Sequence, residues 1–284
     1  MFRKILISCA CSVAILANSG TMNPITPDEA VKMLQEGNER FVNDKIIRPH
    51  TDIARLKEVA QGQHPFVTIN SCSDSRVPPE LLFDQGFGDL FIIRNAGNVS
   101  ATDEIGTIEY GTEHLGTRLV VVLGHTKCGA VTAVAKGDHV GGSIPALVAP
   151  IAPAVKKIKS AHVGHETNVW LNEAIKENVY EQIANILRKS QIVRDMVMDG
   201  KVKIVAAMYD VDTGKVQFLG EHPQQLRVLV EVEKNKKPTQ SNVSTQPQNT
   251  VLKTESKPVT NAQTKENEPK NMQIKAKAEA ETSH

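Results

Sequence analysis

Apolar positions along the chain recur in two rhythms. Four short runs, at residues 66–70, 89–94, 119–123 and 203–209, are rich in β-branched and aliphatic side chains and have the length of strands. A fifth, 216–219, follows Asp212-Thr213-Gly214-Lys215, which reads as a hairpin-like turn. Between the runs the rhythm is helical, at 104–114 and over a long stretch at 172–198. In the latter Ile175, Val179, Ile183 and Leu187 recur every four residues as one apolar stripe, the mark of core packing. The ordered part begins near Ile25. Thr26-Pro27-Asp28-Glu29 reads as a helix start, with Thr26 as N-cap, Pro27 at the first helical position and Glu29 closing a capping box. Ala30, Met33, Leu34 and Phe41 follow at spacings that suit one face.

Apolar strands alternating with helices predict an α/β fold: a largely parallel central sheet flanked by helices, with an antiparallel edge strand supplied by the last pair. In open sheets of this kind the chemistry sits beyond the carboxyl ends of the strands. The run at 66–70 ends at Cys72 and that at 119–123 ends at Gly124-His125, so the pattern brings a thiol and an imidazole to the same edge.

Composition adds boundaries. Met1-Phe2-Arg3-Lys4 is a basic head before an apolar stretch, and Ala17-Asn18-Ser19 offers small residues for cleavage. Residues 1–19 are thus expected to be a signal peptide, the protein to be exported, most readily to the periplasm, and the mature chain to lack a membrane span. The folded domain is expected at 25–232. From 233 to 284 aromatic residues are absent and Lys, Glu, Gln, Asn and Thr dominate, which predicts a disordered tail unable to offset its ordering entropy. A formal net charge of +1 gives no reason to expect a nucleic-acid partner.

Of four cysteines, Cys9 and Cys11 fall in the expected leader, leaving Cys72 and Cys128. In an exported protein two cysteines suggest a disulfide by default. Their surroundings point elsewhere. Cys72-Ser73-Asp74-Ser75-Arg76 and His125-Thr126-Lys127-Cys128 together offer two thiolates and an imidazole, donors that zinc favours. Three protein ligands leave one position open, as in catalytic zinc sites, whereas a closed structural site needs a fourth. Asp74 and Arg76, two apart, can point the same way on an extended turn, where the guanidinium would hold the carboxylate ionised and oriented. A zinc-stapled module without catalysis and a disulfide-stapled domain remain as alternatives.

These residues carry a resemblance. Cys-x-Asp-x-Arg followed by His-x-x-Cys resembles the zinc signature of the β-class carbonic anhydrases, and the likeness extends through CSDSRVPPE from Cys72, DLFIIRNAGN from Asp89, IGTIEYGTEHLG from Ile105 and VVLGHTKCGAV from Val121. It implies one zinc ion per subunit on Cys72, His125 and Cys128, with Asp74 and Arg76 as the catalytic pair. It also implies reversible hydration of carbon dioxide to bicarbonate and a proton, by attack of zinc-bound hydroxide. Gln63 matches a glutamine near the substrate, and Phe91 and Tyr110 match aromatic residues of the apolar CO2 pocket, part of which the partner subunit contributes. The family assembles as homodimers, often paired into homotetramers. Members regulated by bicarbonate carry Trp three residues before the first ligand; here that position is Ile69, which argues against such regulation although Arg94 is present. Another zinc hydrolase acting on a CO2-like molecule would share the motif. For the proton shuttle, His50, His64 and His114 are candidates by residue type alone.

Overall fold

The computed structural model describes residues 25–235. The expected leader and all but the first three residues of the expected tail lie outside the described residues. Five strands, β1 (Val67–Cys72), β2 (Leu90–Asn95), β3 (Leu119–His125), β4 (Lys203–Tyr209) and β5 (Val216–Gly220), form one sheet in the order β2-β1-β3-β4-β5. The first four are parallel and β5 runs antiparallel to β4, as the alternation predicts. Ten helices accompany them: α1 (Pro27–Val42), α2 (Ile53–Val59), α3 (Pro79–Leu82), α4 (Thr102–Glu109), α5 (Gly129–Lys136), α6 (Ile144–Val148), α7 (Ala152–Ala161), α8 (Thr167–Lys189), α9 (Gln191–Met198) and α10 (Gln225–Asn235). Among the described residues no helix is long and apolar enough to cross a membrane.

β1 and β3 are buried along their whole length, as central parallel strands covered on both faces must be. The two-residue period sorts β3 between two cores. Val120 and Val122 join Ile105, Ile108, Val179 and Ile183 on one face, while Leu119, Val121 and Leu123 join Ala30, Leu34 and Phe83 on the other. A third cluster closes the carboxyl end of the sheet, where Trp170, Ile151, Val131 and Ile175 pack around Cys72 and Cys128. α8 lies directly on β3 at Gly124, where a Cβ would meet Val179 Cγ2 at 2.4 Å and Met208 Sδ at 3.0 Å.

Local chemistry explains the helix ends. The Thr26 hydroxyl accepts from the Glu29 amide and the Glu29 carboxylate answers the Thr26 amide, so α1 starts with the expected capping box. The single long helix expected at 172–198 is two. α8 begins earlier, at Thr167, burying Trp170, and the chain leaves helical geometry at Ser190 (φ −92°, ψ 113°). The Ser190 hydroxyl accepts from the Val193 amide and starts α9, while the buried Arg194 guanidinium donates to the Leu187 and Ser190 carbonyls that end α8. The helix expected at 104–114 is α4 followed by a wider π-type turn over Tyr110–His114.

Asn38 ties α1 to the rest. Its amide donates to the carbonyls of Leu82 and Gly214 and accepts from the Val216 amide, joining α1 to α3 and to the β4–β5 hairpin. Because Asn38→Leu strands one buried and two part-buried backbone groups, it is expected to lower the unfolding free energy by about 2 kcal/mol. Urea unfolding checks this; a loss below about 1 kcal/mol would mean that these groups find other partners.

Candidate metal centre

Parallel pairing of β1 with β3, in register at Ser71 and Leu123, sets the two strand ends side by side. Cys72 closes β1, His125 closes β3, and the chain turns back through Lys127, held in the left-handed region at φ 57°, to place Cys128 at the start of α5. One ligand atom from each of the three residues lies within 4.8 Å of the other two. All three residues are buried, His125 completely. No fourth such atom joins the group among the described residues. Both cysteines are free thiols, so the disulfide alternative is not what the fold builds.

The donor chemistry fits a soft divalent ion. His125 Nδ1 donates to the Thr126 carbonyl at 2.9 Å, which leaves the Nε2 lone pair facing the sulfurs. That Nε2 is buried and has no hydrogen-bond partner, an unfavourable state for a polar atom unless a cation takes its lone pair. The two thiol groups are hydrogen-bonded to each other. The hydrogen bond from Cys128 lowers the Cys72 pKa against the opposing effect of burial, and His125 and the amides of Gly97 and Asp74 add to the lowering. The same shared bond, with burial, pushes Cys128 up, while the Val131 and Ala130 amides at the start of α5 oppose the rise. A divalent cation between them would favour the ionised form of both sulfurs.

Asp74 and Arg76 stand beside the trio as the motif predicts. Asp74 Oδ1 accepts from the Arg76 amide at 3.0 Å and from Nε at 2.9 Å; Oδ2 accepts from Nη2 at 2.7 Å. These bonds hold the Asp74 carboxyl well below the usual carboxylate range despite partial burial. With two donors on Oδ1 and one on Oδ2, a single acceptor position stays free. It belongs to the oxygen that lies 3.9 Å from His125 Nε2.

Sequence reasoning missed what steadies this pair. Arg94 donates to the carbonyls of Cys72 (3.1 Å) and Asp74 (2.7 Å), clasping the loop from β2. Lys127 pairs with Asp212 at 2.6 Å while its carbonyl accepts from Arg76, so the hairpin after β4 anchors the turn between the ligands. Sequence separation hides both contacts.

The remaining expected residues lie elsewhere in the subunit. Phe91 pairs with Thr68, four residues before Cys72 on β1, which puts it roughly 13 Å from the ligand at about 3.3 Å per residue. Tyr110 packs on Phe91 with ring centroids 5.9 Å apart and is 48% exposed. Gln63 is exposed ahead of β1, at the same amino-terminal side of the sheet. His50 bonds Asp89 and His114 stacks on Tyr110, away from the trio, and His64 is exposed near Gln63.

Residues 67–216 match the family model described as "Carbonic anhydrase". The chain belongs to the carbonic anhydrase family. Carbonic anhydrase 2 of Mycobacterium tuberculosis is 35% identical over 193 residues, covering 66% of this chain and 91% of that one. Among solved structures, the β-carbonic anhydrase CafA of Aspergillus fumigatus superposes with a TM-score of 0.55 at 29% identity, covering 62% of this chain and 86% of the other. One of two tetrameric β-carbonic anhydrases from Sordaria macrospora gives a TM-score of 0.54 at 22% identity, over 65% and 94% of the respective chains, a likeness of fold. The mixed five-stranded sheet is thus that of the β-class, and its Cys72, His125 and Cys128 sit at the sheet's carboxyl edge as that family's motif implies.

If these three residues form the whole protein ligand set, Cys128→Ala leaves two, and the purified variant is expected to retain little zinc by elemental analysis. Full occupancy in that variant would overturn the assignment.

Proposed function

We propose that the protein hydrates carbon dioxide reversibly to bicarbonate and a proton, using zinc held by Cys72, His125 and Cys128. The observation that carries this reading is a buried sulfur–nitrogen–sulfur donor set lacking a fourth protein ligand, with an oriented carboxylate at its open side. Family membership supports the same chemistry.

When bound, zinc supplies Lewis acidity that brings the pKa of a coordinated water from 15.7 towards ~7. The protein's own groups do the rest. Asp74, kept ionised and aimed by Arg76, offers the free acceptor position of Oδ2 to a proton-bearing oxygen in the site. His125, fixed by Thr126, keeps its Nδ1 proton pointed away from the reacting side. Burial of both thiols excludes bulk water from the ligands themselves.

Gln63, Phe91 and Tyr110 sit too far from their own subunit's trio to touch a substrate there. They serve instead, on this reading, across a dimer interface: the amide and two rings of one copy complete the pocket of the other. Phe91 and the exposed Tyr110 provide an apolar surface suited to an uncharged, apolar molecule such as CO2. The tetrameric Sordaria enzymes show that this fold supports assembly, and two shared sites per isologous pair follow from twofold symmetry.

Two outcomes are expected. In stopped-flow measurements from about pH 6.5 to about pH 9, zinc-dependent hydration climbs with pH, and Asp74→Asn keeps its zinc but loses roughly 10²–10⁴-fold in rate. A zinc-loaded wild type with no rate, or an Asp74→Asn variant at full rate, would contradict the mechanism. Second, Gln63→Ala and Cys128→Ala are each expected to be nearly inactive alone. Unfolded and refolded together in equal amounts they should recover about a quarter of wild-type activity, since half the pairs are mixed and each mixed pair holds one intact site. Absence of recovery despite mixed dimers would place Gln63 in its own subunit's site.

A further inference from the structure

α8 carries two polar side chains where an apolar one would be expected. Asn178 and Gln182 are fully buried, flanking the stripe of Ile175, Val179 and Ile183. Buried amides of this kind are costly unless every group is partnered, and here the partners lead to the metal centre. Gln182 Nε2 donates to Asn178 Oδ1 at 2.9 Å and to the Pro150 carbonyl at 3.1 Å, while its Oε1 accepts from the Ser100 amide at 2.9 Å. With its oxygen engaged, Asn178 presents its NH2 group to the Gly97 carbonyl at 2.9 Å.

Gly97 is no ordinary turn residue. It is left-handed (φ 74°, ψ 21°) and is followed by Asn98, also left-handed at φ 46°. A Cβ at Gly97 would meet Ile151 Cδ1 at 2.6 Å, so the turn is pressed against the cluster around the cysteines. Its amide donates to Cys72 Sγ at 3.3 Å, and the Asp74 amide donates to the same sulfur at 3.4 Å. The segment 97–100 is therefore held from two sides, by Asn178 and Gln182 from α8 and by Asn70 from β1, which donates to the carbonyls of Asn98 and Val99.

We propose that Asn178, aimed by Gln182, is a positioning residue for the ligand Cys72: by locking the Gly97 turn it fixes the amide hydrogen bond that Cys72 Sγ receives. An N–H···S bond withdraws charge from a metal-bound thiolate and also holds the sulfur in place. Its loss leaves the sulfur more electron-rich but less well placed to bind, and lost placement outweighs the gain in donor strength. The inference rests on the zinc-site reading above.

The test uses the full chain loaded with Co2+ in place of zinc, whose thiolate-to-metal charge-transfer band reports on sulfur directly, alongside zinc affinity measured by competition with a chromophoric chelator. Asn178→Leu removes the donor. Ile183→Ala, a truncation on the same helix within a core cluster that does not include the cysteines, is the control for general loosening. The expected result is a band shifted to longer wavelength and a zinc affinity roughly 10–100-fold weaker for Asn178→Leu, with Ile183→Ala unchanged in both. Should Asn178→Leu give too little folded protein, Gln182→Met leaves the Asn178 donor but removes its guide, and a smaller shift in the same direction is expected. A band and affinity like the wild type's in the Asn178 or Gln182 variant, or equal changes in Ile183→Ala, would overturn the proposal. A wild-type protein with no thiolate-to-cobalt band would instead remove the zinc-site reading on which it stands.

Discussion

Three donors buried at one point, two hydrogen-bonded sulfurs and an imidazole nitrogen left without a hydrogen-bond partner, make up the interaction on which this structure turns. Such a cluster is unfavourable in an apolar surround unless a cation completes it. Much of the surrounding fold acts to keep it together. Parallel pairing of β1 and β3 delivers two of the donors, the strained Lys127 turn delivers the third, and the ion pairs of Arg76 and Lys127 hold that turn closed.

Charge around the cluster is arranged in opposed layers. The backbone amides of Gly97, Asp74, Ala130 and Val131 face the sulfurs, the guanidinium of Arg76 faces Asp74, and that of Arg94 faces the carbonyls of the same loop. These groups come from three places, the loop after β1, β2 with the turn that follows it, and the start of α5, and hydrogen bonds join them across the site. The preorganisation of these groups is therefore a property of the sheet edge as a whole.

The fold was legible because its signals are local. Thr26 and Glu29 cap α1 within four residues, and the strand runs end where glycines or polar groups interrupt them. The ligand trio was legible because its residue types are rare and its motif dense. What escaped lies in contacts between distant segments. The break at Ser190 is hidden because good helix-forming sequence continues on both sides of it, so only the serine cap marks the boundary. Asn178 and Gln182 read as incidental polar positions beside a strong apolar stripe, and nothing in their spacing announces that they reach a turn about eighty residues earlier. The likeness of Gln63, Phe91 and Tyr110 to pocket residues suggests a role but carries nothing about the distance that separates them from their own subunit's cysteines.

Gly124 shows how little freedom such an edge leaves to sequence drift. The residue before His125 answers at once to the helix that rests on β3 and to the strand that ends in a ligand. Any side chain there must displace Val179 on α8 and press on Met208 of β4, or turn the peptide that leads into the imidazole. Two unrelated demands thus converge on a single position, which narrows what can replace glycine there although it is not one of the three buried donors.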